Sequence, residues 1–333
     1  MFDKLSDKLK STIQGLQDRH LQSDSLNDAL QGLSDEEAET VRSYLPNVVR
    51  LSDKLKSLST GKNITPGTDH VVAVKELPPI EQHLLEASIG VPDFLPAWFL
   101  ELGAKRQASV CRIRAKQNIV LPSGNVVKSG NGWGTGFMLS ESLLLTNHHV
   151  IESADFAKKK VLAQFNFQVD FQGAIQPLDE YAFDPDNGFV TSDVNDLDFT
   201  LIRLKAKELG TGILQHAGQR FGFVPISTPT YAVKQLVNII QHPDGRFKEV
   251  VLHQNQVEVV DTKVLKYTAD TEFGSSGSPV FDNSWQVLAL HYKAGDVVAG
   301  EPINNEGIRI DRILEAIKAQ APDIANELEA AAS

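Results

Sequence analysis

The chain contains a single cysteine, two methionines and three tryptophans in 333 residues. One thiol cannot close an internal disulfide, which excludes the small secreted scaffolds that depend on such staples. Cys111 lies in Ala108-Ser109-Val110-Cys111-Arg112-Ile113, an alternating context that reads as a buried small hydrophobe in a strand. No apolar run approaches the ~20 residues needed to cross a bilayer, and the stretch 94–102 is short and ends in charge. Positive charge is in deficit: 32 Lys and Arg against 43 Asp and Glu give a net charge of −11. A balance of that sign offers no general attraction to phosphate backbones or anionic lipid, so neither nucleic acid nor membrane is an expected partner. The first residues, Met1-Phe2-Asp3-Lys4-Leu5-Ser6-Asp7-Lys8, mix both signs early and develop no signal-peptide core; with the lone cysteine, a reducing cytoplasmic location is expected.

What is present divides into two patterns. Over residues 1–59 the sequence is polar and helix-favouring, with Phe2, Leu5, Leu9, Ile13 and Leu16 on one helical face. Ser34-Asp35-Glu36-Glu37 has the form of a capping box and announces a second helix carrying Val41, Leu45, Val48 and Leu55, divided at Pro46. The heptapeptide Leu-Ser-Asp-Lys-Leu-Lys-Ser occurs at 5–11 and again at 51–57. This region is expected to be a helical partner-binding or regulatory module. Residues 60–79, rich in Gly, Pro, Thr and Asn, form the expected linker. An approach helix near 96–102 then leads into 80–333, read as one domain. Its dominant pattern is short apolar runs such as Leu143-Leu144-Leu145-Thr146 and Phe199-Thr200-Leu201-Ile202, separated by turns such as Pro243-Asp244-Gly245. Strands without alternating helices predict a mainly β fold of sandwich or closed-barrel type. A final helical stretch, 309–328, is interrupted at Pro322.

Chemistry concentrates in three segments. Gly274-Ser275-Ser276-Gly277-Ser278-Pro279 places a serine on a glycine-flanked turn, where unusual backbone angles expose a hydroxyl and leave the amides of Gly274 and Ser276 free to receive an oxyanion. Taken alone, the segment also reads as an ordinary turn. Thr146-Asn147-His148-His149-Val150 ends an apolar strand with two histidines that alternation sends in different directions, so one can serve as general base. Adjacent histidines without an accompanying ligand motif do not suggest a metal, and no cofactor is called for. In Ser192-Asp193-Val194-Asn195-Asp196-Leu197-Asp198, Asp198 stands where loop becomes strand and can orient an imidazole, whereas Asp193 and Asp196 read as turn residues.

The order His, Asp, Ser is that of the chymotrypsin type. These three motifs make the span from about residue 107 to 317 resemble the chymotrypsin-fold, trypsin-like serine peptidases, and in particular the bacterial V8-type glutamyl endopeptidases. The resemblance implies a double antiparallel β-barrel, a bacterial serine endopeptidase acting on protein or peptide substrates, and a triad of His149, Asp198 and Ser276. It selects His149 over His148 because the family's base directly precedes the valine or alanine position. It also implies pocket roles for Thr271 and His291, which favour an acidic P1 residue, and for Asp270, which favours a basic one. Ser275 replaces the aspartate through which digestive relatives are switched on by a new amino terminus. A catalytically silent protease-fold scaffold is the alternative function.

Overall fold

The computed structural model describes residues 95–332 apart from Thr211 and Gln254. The expected helical region 1–59, the linker 60–79 and the start of the expected 80–333 domain lie outside the described residues.

Helix α1 (Trp98–Ala108) delivers the chain to a first antiparallel sheet. Its strands are β1 (Val110–Ala115), β2 (Gly132–Met138), β3 (Leu143–Thr146), β4 (Val161–Phe165), β5 (Asp179–Tyr181), β6 (Phe189–Ser192) and β7 (Phe199–Arg203), in the spatial order β5-β4-β1-β2-β3-β7-β6. The second sheet comprises β8 (Asn238–Gln241), β9 (Glu249–Val251), β10 (Val257–Val260), β11 (Val264–Tyr267), β12 (Pro279–Phe281), β13 (Val287–Ala294) and β14 (Asn305–Arg309), ordered β9-β8-β12-β13-β14-β11-β10. Every pairing is antiparallel. The mainly β, double-sheet architecture expected from the resemblance is the architecture observed.

The continuous apolar runs have a physical reason. Cys111, Ile113, Met138, Leu144 and Ile202 pack inside the first sheet, while Val110, Phe137, Leu143, Leu145 and Leu201 face outward into a core shared with Ile240, Phe281 and Leu290 of the second sheet. Strands buried on both faces need no polar alternation. Cys111 is fully buried, and desolvation pushes its thiol up to about 12, so it is core, as its context predicts.

The carboxy-terminal helices complete the shared core. In α2 (Ile310–Gln320), Ile310, Ile313 and Ile317 recur at helical spacing and are buried. Pro322 opens α3 (Pro322–Ala332), where the sequence placed its interruption. Glu327 of α3 accepts from the Arg203 guanidinium of β7 at 2.6 Å, tying the helix to the first sheet. The two sheets are joined more closely by Arg112. It is almost fully buried, lies 3.4 Å over the Phe167 ring, donates to Gln164, and reaches the Gly245 carbonyl at 2.8 Å. That carbonyl belongs to the Pro243–Gly245 turn of the second sheet.

Candidate functional site

Strand register brings the first two motifs together. Because Thr146 of β3 pairs with Thr200 of β7, the residues following β3 lie beside those preceding β7. His149 and Asp198 meet there in a two-point clamp: the backbone N–H of His149 donates to Asp198 Oδ1 at 3.0 Å, and its Nδ1 lies 2.7 Å from Oδ2. Asp198 is 4% exposed, whereas the imidazole is 36% exposed. Asp198 adopts φ +39, a conformation L residues seldom take, and the Asn147 amide holds its carbonyl at 2.8 Å. His148 points elsewhere, its Nδ1 2.8 Å from Thr191 Oγ1. Asp193 accepts from the Asn195 amide and Asp196 pairs with Lys263, so both serve the loop.

The serine motif sits on the second sheet. Pro279 of β12 pairs with Leu290 of β13, and Gly277 donates to the His291 carbonyl while His291 donates to Ser278, each at 2.9 Å. The Ser276 hydroxyl accordingly lies next to the Tyr292 carbonyl, 3.4 Å away. It forms no hydrogen bond with His149, although the two sheets bring these regions together: the charge of His149 acts on His291, and that of Asp198 on Tyr292.

The orientation of the serine turn is fixed from both sheets. In a trans peptide the carbonyl and the amide proton point in opposite directions, so anchoring one aims the other. The Phe273 carbonyl accepts from the Asp244 amide at 2.5 Å, which directs the Gly274 N–H the other way. The Ser275 carbonyl accepts from Ser278 at 3.0 Å, which does the same for Ser276 N–H. Neither of these two amides has a partner among the described residues, whereas those of Ser275, Gly277 and Ser278 are all bonded. Thr135 of β2 braces the turn at both ends. Its N–H donates to the Ser276 carbonyl at 2.8 Å and its hydroxyl to the Gly274 carbonyl at 2.9 Å. Gly277 permits this approach: at φ +89 it takes a glycine conformation, and a Cβ there would stand 2.0 Å from the Thr135 oxygen. Ser275 is fully buried and its hydroxyl accepts from the Glu272 amide at 3.2 Å, closing the turn without any charge.

Thr135 and His242 were not singled out by sequence reasoning. His242 is fully buried below the turn, donates its N–H to Thr135 Oγ1 at 3.2 Å, and is held neutral by burial together with the nearby charges of Lys248 and Arg112. A Gly-rich strand facing a Gly-rich turn was the available signal, but partners 107 and 139 residues apart are not legible from spacing.

The three residues expected in the pocket have different surroundings. Asp270 and Thr271 line a cavity of about 410 Å³ with Arg246, His253 and Glu272. The Asp270 carboxylate pairs with neither Lys266 nor Lys293, which turn instead to Asp296 and Glu306. His291 is 3% exposed, with its Nδ1 2.7 Å from the Tyr267 hydroxyl. Burial, and secondarily His149, pushes its pKa down to about 3.

Residues 134–290 match the family model described as Trypsin-like peptidase domain. The uncharacterized protein y4fB of Sinorhizobium fredii is 31% identical over 253 residues, covering 71% of this chain and 36% of the relative. A glutamyl endopeptidase of Staphylococcus epidermidis is 24% identical over 198 residues, covering 57% of this chain and 63% of the relative. The chain thus spans less than two thirds of either relative's length. Among solved structures, the serine endoprotease from Yersinia pestis superposes with a TM-score of 0.46 at 15% identity, covering 69% of each chain.

Proposed function

We propose that the chain, whose residues 134–290 match the trypsin-like peptidase domain model, is a serine endopeptidase that hydrolyses peptide bonds through Ser276, His149 and Asp198. The observation that carries the reading is the two-point clamp of Asp198 on His149, which fixes the imidazole tautomer and leaves Nε2 as the working nitrogen. Ser276 Oγ attacks the scissile carbonyl while His149 Nε2 takes its proton. The amides of Gly274 and Ser276 receive the oxyanion of the tetrahedral intermediate. His149 returns the proton to the leaving amine, and water, deprotonated by the same nitrogen, releases the acyl group. Asp198 holds the ring in place and supports the imidazolium as it forms. The long Ser276–Tyr292 contact in place of a serine–histidine bond favours the second reading, a silent scaffold, but such bonds tighten when substrate closes the site.

A fluorophosphonate probe added to the full-length chain is expected to attach covalently at Ser276, mapped by peptide mass spectrometry; absence of any adduct would favour the scaffold. Because Ser275 closes the turn without charge, labelling is expected with no prior cleavage of the chain.

Thr135 is a positioning residue in this scheme. Thr135→Val removes the hydroxyl that holds Gly274 and is expected to lower kcat about tenfold with KM little changed, since the oxyanion forms only on the way to the intermediate. Thr135→Ser keeps the hydroxyl and should restore most of the rate. Equal losses in both variants would make the role one of packing.

Asp270, Thr271 and His291 are proposed to contact substrate, with opposite consequences for P1. A peptide-library cleavage profile separates them. Acidic P1 residues assign the preference to His291, whose imidazole would take up a proton as it receives a carboxylate; basic ones assign it to Asp270. We place the protein in a bacterial cytoplasm, with residues 1–59 engaging a protein partner that restricts its action. Among the described residues no helix is long and apolar enough to cross a membrane.

A further inference from the structure

An aromatic cluster adjoins the site and has no part in the triad chemistry. Phe273, immediately before the oxyanion-binding Gly274, is 52% exposed despite being a large apolar side chain. Its ring meets Trp133 edge-on at 6.3 Å, and Trp133 meets Phe156 at 6.2 Å. The Trp133 indole N–H donates to the Val150 carbonyl at 2.7 Å, one residue from His149. Trp133 is also followed by Gly134, where a Cβ would stand 2.6 Å from Val150 and 3.3 Å from the Ser276 carbonyl. The cluster is therefore anchored on one side to the imidazole-bearing segment and on the other to the oxyanion turn.

The opposite side of Ser276 is different. There β13 continues past its last β12 pair, Pro279 with Leu290: Tyr292 falls at the irregularity between His291 and Lys293, and among the described residues Lys293 and Ala294 pair only toward β14. Their free edge can accept an extended peptide as an added strand. Polypeptide substrate must cross the site with its acyl half on one side and its leaving half on the other. The leaving amine takes its proton from His149, and the segment bearing His149 is the one that Trp133 grips.

We propose that Phe273 and Trp133 form an aromatic subsite for the leaving peptide, selecting an apolar or aromatic side chain within its first two residues. The inference rests on the peptidase reading above. An exposed Phe273 ring backed by the partly buried Trp133 gains contact area when an apolar side chain covers it, and gains little from glycine or a charged residue.

The test uses the full chain and quenched peptides that share one acyl half and carry Gly, Asp, Lys, Leu or Phe at the first or second leaving-side position. Wild type is expected to cleave the Leu and Phe peptides with kcat/KM about tenfold above the Gly and Asp peptides. Phe273→Ala should reduce that ratio to about twofold, and Phe273→Tyr should keep it. Loss by the same factor for every peptide, or a Leu and Phe preference left unchanged by Phe273→Ala, would overturn the subsite. Fluorophosphonate labelling of Ser276 in the wild-type chain reports on the underlying reading separately, because the probe carries no leaving peptide.

Discussion

Ser276→Ala is expected to abolish peptide cleavage, lowering kcat by about 10⁴-fold or more, and to eliminate fluorophosphonate labelling. The hydroxyl is the only nucleophile in the proposed scheme, and the residual rate is what the amides of Gly274 and Ser276 and substrate binding provide to attack by water. His149→Ala should fall to a similar level, because a hydroxyl with no base to take its proton attacks poorly, and the double variant should be no worse than either single one. That non-additivity is the discriminating readout. Losses that multiply would mean the two residues act independently and would break the proposed link between the sheets. A partner-binding or cellular activity retained in full by Ser276→Ala would instead support the scaffold reading.

The second large effect is on stability toward acid. His291 has a folded pKa of about 3 against an ordinary 6.5, caused first by burial and then by the charge of His149. The folded protein therefore resists a proton that the unfolded chain accepts. Stability is fully present above pH 6.5 and is lost as pH falls from 6.5 toward 3, at about 1.4 kcal/mol per pH unit for one such group. His242, fully buried and shifted in the same direction, adds to the slope. Urea unfolding at pH 7, about 6 and about 5 should show wild type weakening steeply, before most carboxylates begin to titrate. His291→Gln, which carries no titrating group, should weaken less steeply over the same interval. Parallel curves for the two proteins would show that His291 titrates in the folded state as freely as in the unfolded one.

Local sequence was sufficient for much of the fold. Leu143–Thr146 was read with the observed bounds because a run of large apolar residues closed by turn formers has few other uses. The carboxy-terminal helix was read with its break at Pro322, since proline cannot continue a helix but can open one. The start of β8 is not set by its own segment: the apolar run begins at Leu236, yet the ladder begins at Asn238, where pairing with Phe281 becomes available. Pairing depends on the partner strand, and no single segment encodes it.

The site divides along the same line. The serine turn, the choice of His149 over His148 and the choice of Asp198 over Asp196 could be put forward from sequence because each motif carries its own backbone requirement or matches a family pattern within a few residues. The location of Thr135, His242 and the aromatic cluster was not. Thr135 reaches Gly274 across 139 positions and Trp285 of the second sheet donates to Phe99 of α1 across 186. Such contacts come from closure of one sheet against the other, which is driven by burial and has no local signature. Asp270, Thr271 and His291 were grouped by their offsets from Ser276; that His291 lies in the interior beside Tyr267, while Asp270 and Thr271 line a cavity, came from the tertiary structure. The sequence by itself thus determined which side chains could do chemistry and in what order they occur. The packing of two sheets decided which amides are left free, which histidine is kept neutral and what surface a substrate meets.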